Sequence, residues 1–411
     1  MTRSARSAEG YFLTQVHDLS LKEFTRIQNA VAWRKNLSTE DYVLREHILG
    51  LSTMITMEGH ELMVFIMTAK HAPDVPLCSC ELLVRNGYRY VQPNGKVERR
   101  SVKSGCIGAV FTPEKHRGRG LAQIMIDLLV AFAKSPKVLG EDGFIFMYSE
   151  VGEYYTRNGF KSVPVALVKC PFVSTGDEYT VPPNVELIKF HQFGEVFKAY
   201  QEQFNEEMCA KVAADGIERV SVAGNELYVD WFHLRAKYLG VKLFGTDLSS
   251  WDFANATLDF LVEKFSTTQP QYFGLKLTSA DSARLRGFIV WTYDYDYDTE
   301  KKKFHNYVTV IKNFVANGND KHATTVELFK HMKQYLEAHH DEPQLLNFEQ
   351  LEIWESDVPD SFSEWLVTEY GAKKGINNPS RSALLLNRKE DDQKFKEGKL
   401  IWEENTKLPW F

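Results

Sequence analysis

Two arginines and two glycines alternate over residues 117–120, between an apolar run that ends at Phe111 and a helical pattern that begins at Leu121. A strand, a glycine turn and a helix in this order place backbone N–H groups and the positive end of a helix around one anion. Glycine permits close approach of the backbone and unusual φ values, and the arginines add positive charge. The segment therefore predicts a phosphate or pyrophosphate site, with a basic turn that binds nothing as the alternative.

The order of residues in this loop distinguishes between phosphate-binding motifs. Residues 117–122 read Arg-Gly-Arg-Gly-Leu-Ala, which matches neither the Gly-Lys-Ser/Thr end of a Walker A loop nor the dinucleotide pattern G-x-G-x-x-G. The loop fits R-x-x-G-x-G/A and so resembles the pyrophosphate loop of the GCN5-related N-acetyltransferases (GNATs), which bind acetyl-CoA. The resemblance implies that acetyl-CoA contacts two groups of residues: Arg117, Gly118, Arg119, Gly120, Leu121 and Ala122 in the loop, and Val110, Phe111 and Thr112 on the preceding strand.

A second segment, farther along the chain, carries a tyrosine at a characteristic spacing. Residues 144–149 read as a buried strand that ends at Ser149, and Tyr155 then precedes the pair Gly159-Phe160 by four residues. This spacing resembles the GNAT signature, and the resemblance implies that Ser149 lies at the cofactor and that Tyr155 protonates the leaving sulfur. A tyrosine of ordinary pKa, about 10, is protonated at pH 7 and can donate. The alternative is an aromatic side chain packed between sheet and helix.

Acetyl transfer to an amine also requires the amine to be neutral. A lysine-type amine has a pKa of about 10.4, so its neutral form costs roughly 4–5 kcal/mol at pH 7. Some GNATs carry a catalytic glutamate on the strand before the glycine loop, but residues 104–111 contain no acid here. Glu81 on the preceding strand and Glu150 after the following one are the candidates by position, and for each a surface or salt-bridged role is the alternative.

The composition argues against several classes of function. A net charge of −6 disfavours nucleic-acid binding, and no apolar run approaches the ~20 residues of a membrane-spanning helix. The five cysteines lack zinc-ligand spacing and are too few for a disulfide framework. Because the N-terminus also lacks an apolar leader, we expect a cytoplasmic protein with reduced core thiols and no metal, membrane or nucleic-acid partner. The sequence does not reveal the oligomeric state.

The alternation of strand and helix patterns predicts an α/β (α+β) chain of two domains. Residues 1–168 follow the element order of the GNAT fold around a mixed central sheet, residues 169–184 form a proline-containing linker, and residues 185–411 repeat the order, ending in a strand at 383–386. At the position of the phosphate loop, residues 315–320 contain no arginine and no second glycine at the needed spacing. We therefore expect the second domain to be a degenerate GNAT-like copy that cannot hold pyrophosphate.

The segment 148–155 supports a closer resemblance. It reads Tyr-Ser-Glu-Val-Gly-Glu-Tyr-Tyr, which resembles the run Y-S-x-[IV]-G-x-x-[FY]-Y of fungal lysine N6-acetyltransferases of lysine catabolism, with one residue fewer before the tyrosine pair. Residues 79–81 (Ser-Cys-Glu), residues 408–410 (Leu-Pro-Trp) and the added second domain are also similar to that family. The resemblance implies transfer of the acetyl group of acetyl-CoA to the ε-amine of free L-lysine, without a metal.

A free amino acid needs a pocket that binds both of its ends, and we expect this pocket between the two domains. The residues expected at its walls are Trp33, Glu81, Trp231, His233 and the region of Trp354. Tyrosines and aspartates alternate at 293–298, so the aspartates lie on one face of the predicted strand and the tyrosines on the other. The acidic face could attract a cation; the alternative is that the segment is a solvated hairpin tip. The alternative functions are acetylation of a polyamine or aminoglycoside, acetylation of a peptide or protein in an open groove, and a scaffold that has lost catalysis.

Overall fold

The computed structural model describes residues 10–172, 178–224, 227–244, 248, 251–281, 283–298, 303–339 and 348–411. Residues 1–6 and Gly176 of the predicted linker lie outside these ranges, and so do the side chains of Leu227, Tyr297 and Asp298. The described chain has a mixed α/β fold with two mixed sheets, which confirms the predicted fold class.

Helices and strands alternate along both halves of the chain. The helices are α1 (Leu19–Trp33), α2 (Thr39–Leu49), α3 (Thr53–Thr56), α4 (Leu121–Ala133), α5 (Gly194–Asp215), α6 (Leu227–Leu243), α7 (Leu258–Ser266), α8 (Lys321–Ala338), α9 (Asp360–Tyr370) and α10 (Lys389–Lys396). The strands are β1 (Tyr11–Val16), β2 (Glu61–Ala69), β3 (Ala72–Val91), β4 (Glu98–Phe111), β5 (Phe144–Ser149), β6 (Lys161–Val163), β7 (Ala166–Pro171), β8 (Val185–Lys189), β9 (Glu218–Val222), β10 (Tyr272–Thr278), β11 (Leu285–Asp294), β12 (Tyr297–Asp298), β13 (Lys303–Phe304), β14 (Asn306–Val315), β15 (Phe348–Trp354), β16 (Lys373–Asn377), β17 (Arg381–Leu386) and β18 (Leu400–Trp402).

The two large sheets have equivalent strand orders. The first runs β1-β2-β3-β4-β5-β17-β6, and β9 extends it beside β3 and pairs with β18. The second runs β8-β10-β11-β14-β15-β7-β16. Neighbouring strands are antiparallel except in the pairs β4–β5, β14–β15 and β9–β18. The fourth and fifth strands of each order therefore form its parallel pair.

The two halves exchange a strand. After β6 in the first sheet the chain crosses to the second sheet, where β7 pairs with both β15 and β16. After β16 it returns, and β17 pairs with both β5 and β6. The strand predicted at 383–386 exists, but the prediction that it ends the second domain is wrong, because its hydrogen-bond partners belong to the first sheet. An apolar pattern identifies a strand without identifying its partner.

Local signals explain where the helices near the glycine loop begin. The hydroxyl of Ser38 accepts a hydrogen bond from the backbone N–H of Asp41 at 3.0 Å and so caps the start of α2. Helix α4 begins after Gly120 and buries an apolar face in the core beneath the first sheet: Leu121, Ile124, Met125 and Leu129. The predicted order of strand, glycine loop and helix is confirmed.

The hairpin of β3 and β4 is longer than the sequence suggested. The pattern predicted a strand at 77–84 and a polar excursion at 85–100 with a turn at 93–95; the turn is confirmed, but both strands continue to it. Arg85 and Arg89 on β3 are buried, because β9 pairs beside this part of the strand, whereas Arg99 and Arg100 on β4 are exposed. Arg89 is buried there against Asp391, with Nη1 and Oδ2 separated by 2.7 Å.

The described residues contain free cysteines, no arrangement for a metal ion and no helix of membrane-spanning length. All five cysteines are free, and Cys78, Cys80, Cys106 and Cys170 are buried, which confirms the prediction of core thiols. In the described ranges no group of three or more His, Cys, Asp or Glu side chains is arranged to hold a metal ion. The same residues include no helix that is long and apolar enough to cross a bilayer.

Candidate active site at the seam of the two halves

The glycine loop lies between the end of β4 at Phe111 and the start of α4. Gly118 and Gly120 have φ angles of 73° and 74°, in the left-handed region that glycine enters without strain. A side chain at Gly118 would meet only open space, so the backbone there is accessible. Arg117 is held against the strand, because its Nε donates to the carbonyl of Thr112 at 3.0 Å. With the unpaired N–H groups of the first helical turn beside it, the loop fits a pyrophosphate.

The other residues of the predicted loop divide into exposed and buried ones. Arg119 is exposed, and its Nη1 lies 3.3 Å from Nδ1 of His116. Leu121 is buried in the core, so only its backbone can face a ligand, and Ala122 is partly exposed on the first turn of α4. The charge at this loop therefore comes from its arginines, while the apolar residues fix the helix that it precedes.

Strands β4 and β5 separate beside this loop. Their parallel pairing ends at Ile107 and Met147, although β4 continues to Phe111 and β5 to Ser149. The register of β4 toward β3 also shifts here, and Ala109 has a φ of 47°, which marks a β-bulge. Backbone groups that a continuous sheet would pair are left open between the two strands. The opening can therefore hydrogen-bond an extended ligand.

A cavity of about 700 Å³ reaches from this opening into the seam between the two halves of the chain. Trp33, Glu81 and Tyr155 line it from the first half, and Trp231 and Trp354 line it from the second. Residues at the ends of the separated strands, including Val110, line it on the side of the first sheet. Most of the wall residues named from the sequence are thus brought to one cavity.

Glu81 lies on β3, opposite Gly108 in the ladder with β4. Only 9% of the residue is exposed, and burial raises the pKa of its carboxyl to about 7, an increase that the nearby Arg26 guanidinium opposes. A carboxyl with this pKa is ionised in about half of the molecules at pH 7. Glu81 can therefore accept a proton from an amine near neutral pH.

Tyr155 lies in the 3-10 helix Tyr154–Asn158, which Gly159 ends in a left-handed conformation. It is 9% exposed and borders the cavity. Burial raises the pKa of its phenol above the usual value, so the hydroxyl is protonated at neutral pH. The Tyr154 ring packs edge-on against it, with 5.2 Å between centroids, and lies beneath Arg157. Of the two rings, Tyr155 is the one that can donate a proton into the cavity.

Glu150 and Trp33 contact each other at the cavity wall. The indole Nε1 of Trp33 donates to Oε2 of Glu150 at 3.3 Å, and its ring packs edge-on against Phe111 at 6.1 Å. Ser149 also lines the cavity, but its hydroxyl donates to the carbonyl of Gly152 at 2.7 Å. Ser149 therefore holds the turn that carries Glu150.

His233 lies away from the cavity that Trp231 lines. Side chains two residues apart on a helix point about 200° apart, so the two residues of α6 cannot face the same side. His233 is fully buried, its Nε2 lies 3.1 Å from the carbonyl oxygen of Trp291, and its ring packs on Phe273. Burial lowers the pKa of its imidazole to about 3, which keeps the ring neutral.

Charged residues of the second half also line the cavity, and the sequence had not singled them out as site residues. Arg235 follows Trp231 by one helical turn, and its Nη1 lies 3.4 Å from Oδ1 of Asp294. Asp294 is buried, so the expectation of a solvated hairpin tip is wrong for this residue. Asp296 is half-exposed and pairs with Lys35 of the first half at 3.3 Å. The spacing of Trp231 and Arg235 was the signal that could have identified Arg235.

Residues 406–411 pass between the first sheet and the second half and contribute to the cavity. The hydroxyl of Tyr148 donates to the carbonyl of Thr406 at 3.0 Å, and the fully buried Arg85 donates to the carbonyl of Pro409. The Phe411 ring packs over β4. Side chains from this segment therefore take fixed positions beside the separated strands, which no pattern in the sequence had indicated.

Comparison with known proteins identifies the relatives of this chain. A family model described as the LYC1 GNAT-like C-terminal domain matches residues 169–411, more than half of the chain. The uncharacterized protein YGR111W of Saccharomyces cerevisiae is 26% identical over 440 residues, which cover 96% of each protein.

Two solved structures align with most of the chain at low sequence identity. A tandem GNAT protein from the clavulanic acid biosynthesis pathway has a TM-score of 0.47 and 9% identity, covering 92% of this chain and 99% of its own. Saccharomyces cerevisiae N-myristoyltransferase with bound myristoyl-CoA has a TM-score of 0.48 and 9% identity, covering 94% and 85%. On the strength of the matched family model, the chain belongs to the LYC1 GNAT-like family.

Proposed function

We propose that this protein transfers the acetyl group of acetyl-CoA to the ε-amine of free L-lysine, giving N6-acetyl-L-lysine and CoA. The observation that carries the proposal is the single cavity that joins the separated ends of β4 and β5 to charged side chains of the second half. Its volume of about 700 Å³ lies within the range of small-molecule sites, and it is bounded by two sheets rather than by one open face. Both features favour a small acceptor over a protein acceptor.

The donor side rests on the glycine loop and the separated strands. The accessible backbone at Gly118 and the N–H groups at the start of α4 would hold the pyrophosphate of acetyl-CoA, with Arg117 and Arg119 adding charge. The open backbone of residues 108–110 would hydrogen-bond the pantetheine arm and orient the acetyl carbonyl. Acetyl-CoA, when bound, supplies the electrophilic thioester carbonyl.

Glu81 is the general base in this proposal. An acceptor amine with a pKa of about 10.4 is almost fully protonated at pH 7 and must lose its proton before it can attack. Glu81 borders the cavity with a pKa of about 7, so its ionised form can take this proton directly or through one water. Glu150, which is held by Trp33 at the same wall, is the alternative base.

Tyr155 is the general acid in this proposal. The thiolate that leaves when the amide forms requires a proton. The phenol of Tyr155 borders the cavity, and its burial favours the protonated form. Tyr154 is a matched reference, because it is the same residue type in the same 3-10 helix with its ring under Arg157.

The test is release of CoA from acetyl-CoA with a panel of amines: L-lysine, L-ornithine, spermidine, an aminoglycoside and a blocked lysine peptide. We expect selective turnover of L-lysine, with N6-acetyl-L-lysine as the product by mass spectrometry. Tyr155→Phe should lower kcat by about 10²-fold or more, whereas Tyr154→Phe should leave it nearly unchanged. Turnover confined to the peptide, or to an amine other than lysine, would contradict the proposal.

A further inference from the structure

Charged side chains on the second-half wall of the cavity are largely paired. Nitrogen and oxygen atoms lie 2.7 Å apart in Lys169–Glu352 and 3.4 Å apart in Arg235–Asp294, and Glu349 shares a hydrogen bond with Nδ1 of His305 at 2.8 Å. Four other charged residues line the cavity with no oppositely charged group within 4 Å among the residues that the structure describes: Arg26, Glu81, Glu150 and Lys407. A bound ligand of opposite charge could pair with these side chains.

The four unpaired residues do not form one cluster. Arg26 is the cation that acts most strongly on the carboxyl of Glu81, so these two residues oppose each other's charge at the base end of the cavity. Glu150 is held by the indole N–H of Trp33. Lys407 is therefore the cation that is left for a ligand, and its charged neighbours are Asp294, Arg235, Glu352 and Glu150.

Lys407 occupies a buried position against two aromatic rings. It is 6% exposed, and its ammonium lies over the Trp410 ring at 2.9 Å from the centroid and over the Phe232 ring at 5.5 Å. The backbone on either side is anchored, at Thr406 by Tyr148 and at Pro409 by Arg85. Burial lowers the pKa of this amine to about 7, the effect expected for a cation that lacks an anion. A ligand carboxylate would remove that penalty.

We propose that the Lys407 ammonium binds the carboxylate of the acceptor and thereby selects amino acids over simple amines, an inference that rests on the proposed acetyl transfer. An acceptor with a carboxylate and an α-ammonium at one end and a reactive amine at the other matches the charges of the cavity. Lys407 takes the carboxylate, Glu150 takes the α-ammonium, and Glu81 faces the amine that reacts. The acceptor class is thus a basic α-amino acid.

The experiment compares two acceptors that differ in this carboxylate. L-lysine and cadaverine, which is lysine without its carboxylate, are assayed with the wild type, Lys407→Met and Lys399→Met. Lys399 is a matched control, because its exposed side chain pairs with Glu397 outside the cavity. In Lys407→Met we expect KM for L-lysine to rise on the order of tenfold to hundredfold, with kcat and the turnover of cadaverine little changed. Retained turnover of cadaverine also demonstrates that the variant is folded.

The outcomes separate this inference from the proposed function. Equal losses with both acceptors would overturn it, because they would assign Lys407 to the chemistry or to stability, and so would an unchanged KM for L-lysine. If the wild type acetylates neither acceptor, the proposed function is wrong. Calorimetric titration with L-lysine then tests Lys407 alone: weaker binding in Lys407→Met supports the inference, and equal or absent binding in the two proteins overturns it.

Discussion

The two large sheets have the same strand order, but the opening between the fourth and fifth strands leads into a cavity in the first sheet and contains an ion-pair cluster in the second. In the first sheet the opening of β4 and β5 leads into the cavity. In the second, pairing of β14 with β15 ends at Thr309 and Glu352, and β14 carries a bulge at the equivalent point. The ammonium of Lys312 lies there, 2.6 Å from Oδ1 of Asp357 and 2.9 Å from Oε2 of Glu404.

Single positions account for the difference. Relative to the two bulges, Trp291 of the second sheet takes the position of Glu81, and Lys312 takes that of Val110. At the start of the following helix, Gly120 is replaced by Asp320, whose carboxylate accepts from the N–H of Ala323 at 2.7 Å. The second opening is thus occupied by paired charged side chains of the protein itself. Fold topology alone does not make a binding site; the residues at the bulge and the helix start decide.

The strand exchange makes the halves depend on each other, and breaking it should have the largest effect. Without β17, strands β5 and β6 of the first sheet lose the partner that lies between them. We expect an isolated fragment of residues 1–168 to show no cooperative thermal unfolding by circular dichroism, whereas the whole chain does. Cooperative unfolding of the fragment would show that the first half folds without the exchanged strand.

Substitution of Glu81 tests whether the first opening carries the general base. Glu81→Gln should lower kcat by about 10²-fold or more. Because the base must be ionised and burial raises the pKa of Glu81 to about 7, kcat/KM of the wild type should fall about tenfold per pH unit below that pKa. Glu81→Gln should lose this dependence near pH 7. Initial rates measured between pH 5.5 and pH 9, chosen to span about 1.5 units on the acid side, check both expectations. An unchanged profile would exclude Glu81 as the base.

Substitution of Lys312 tests whether the charged side chains in the second opening stabilise the fold rather than bind a ligand. Lys312→Met leaves the buried side chain of Asp357 and the partly buried one of Glu404 without their cation, which should lower the free energy of unfolding by about 3–5 kcal/mol at pH 8. The loss should be smaller at pH 5, because burial raises the pKa of Asp357 to about 6 and the folded state then binds a proton there. Denaturant titration at both pH values measures it. A large change in KM for acetyl-CoA, with stability unchanged, would instead indicate a binding role.

The sequence was sufficient to predict those parts of the site that lie in local motifs. The glycine loop, the strand before it and the turn of Tyr155 are contiguous segments, so their spacing was sufficient to identify them. Glu81 followed from its position on a neighbouring strand. The partner of β17 and the position of Lys407 depend on contacts between residues far apart in the chain, which periodicity does not contain. His233 is the converse case, because helix geometry directs it away from Trp231.

The measurement that tests the comparison most directly is calorimetric titration of the protein with acetyl-CoA, in the wild type, Gly118→Asp and Gly318→Asp. Both glycines have left-handed φ angles in equivalent loops, so the two substitutions introduce the same charge and similar strain. We expect one equivalent bound by the wild type, affinity lowered about tenfold or more in Gly118→Asp, and no change in Gly318→Asp. Two equivalents, or a loss confined to Gly318→Asp, would contradict the assignment of acetyl-CoA to the first half.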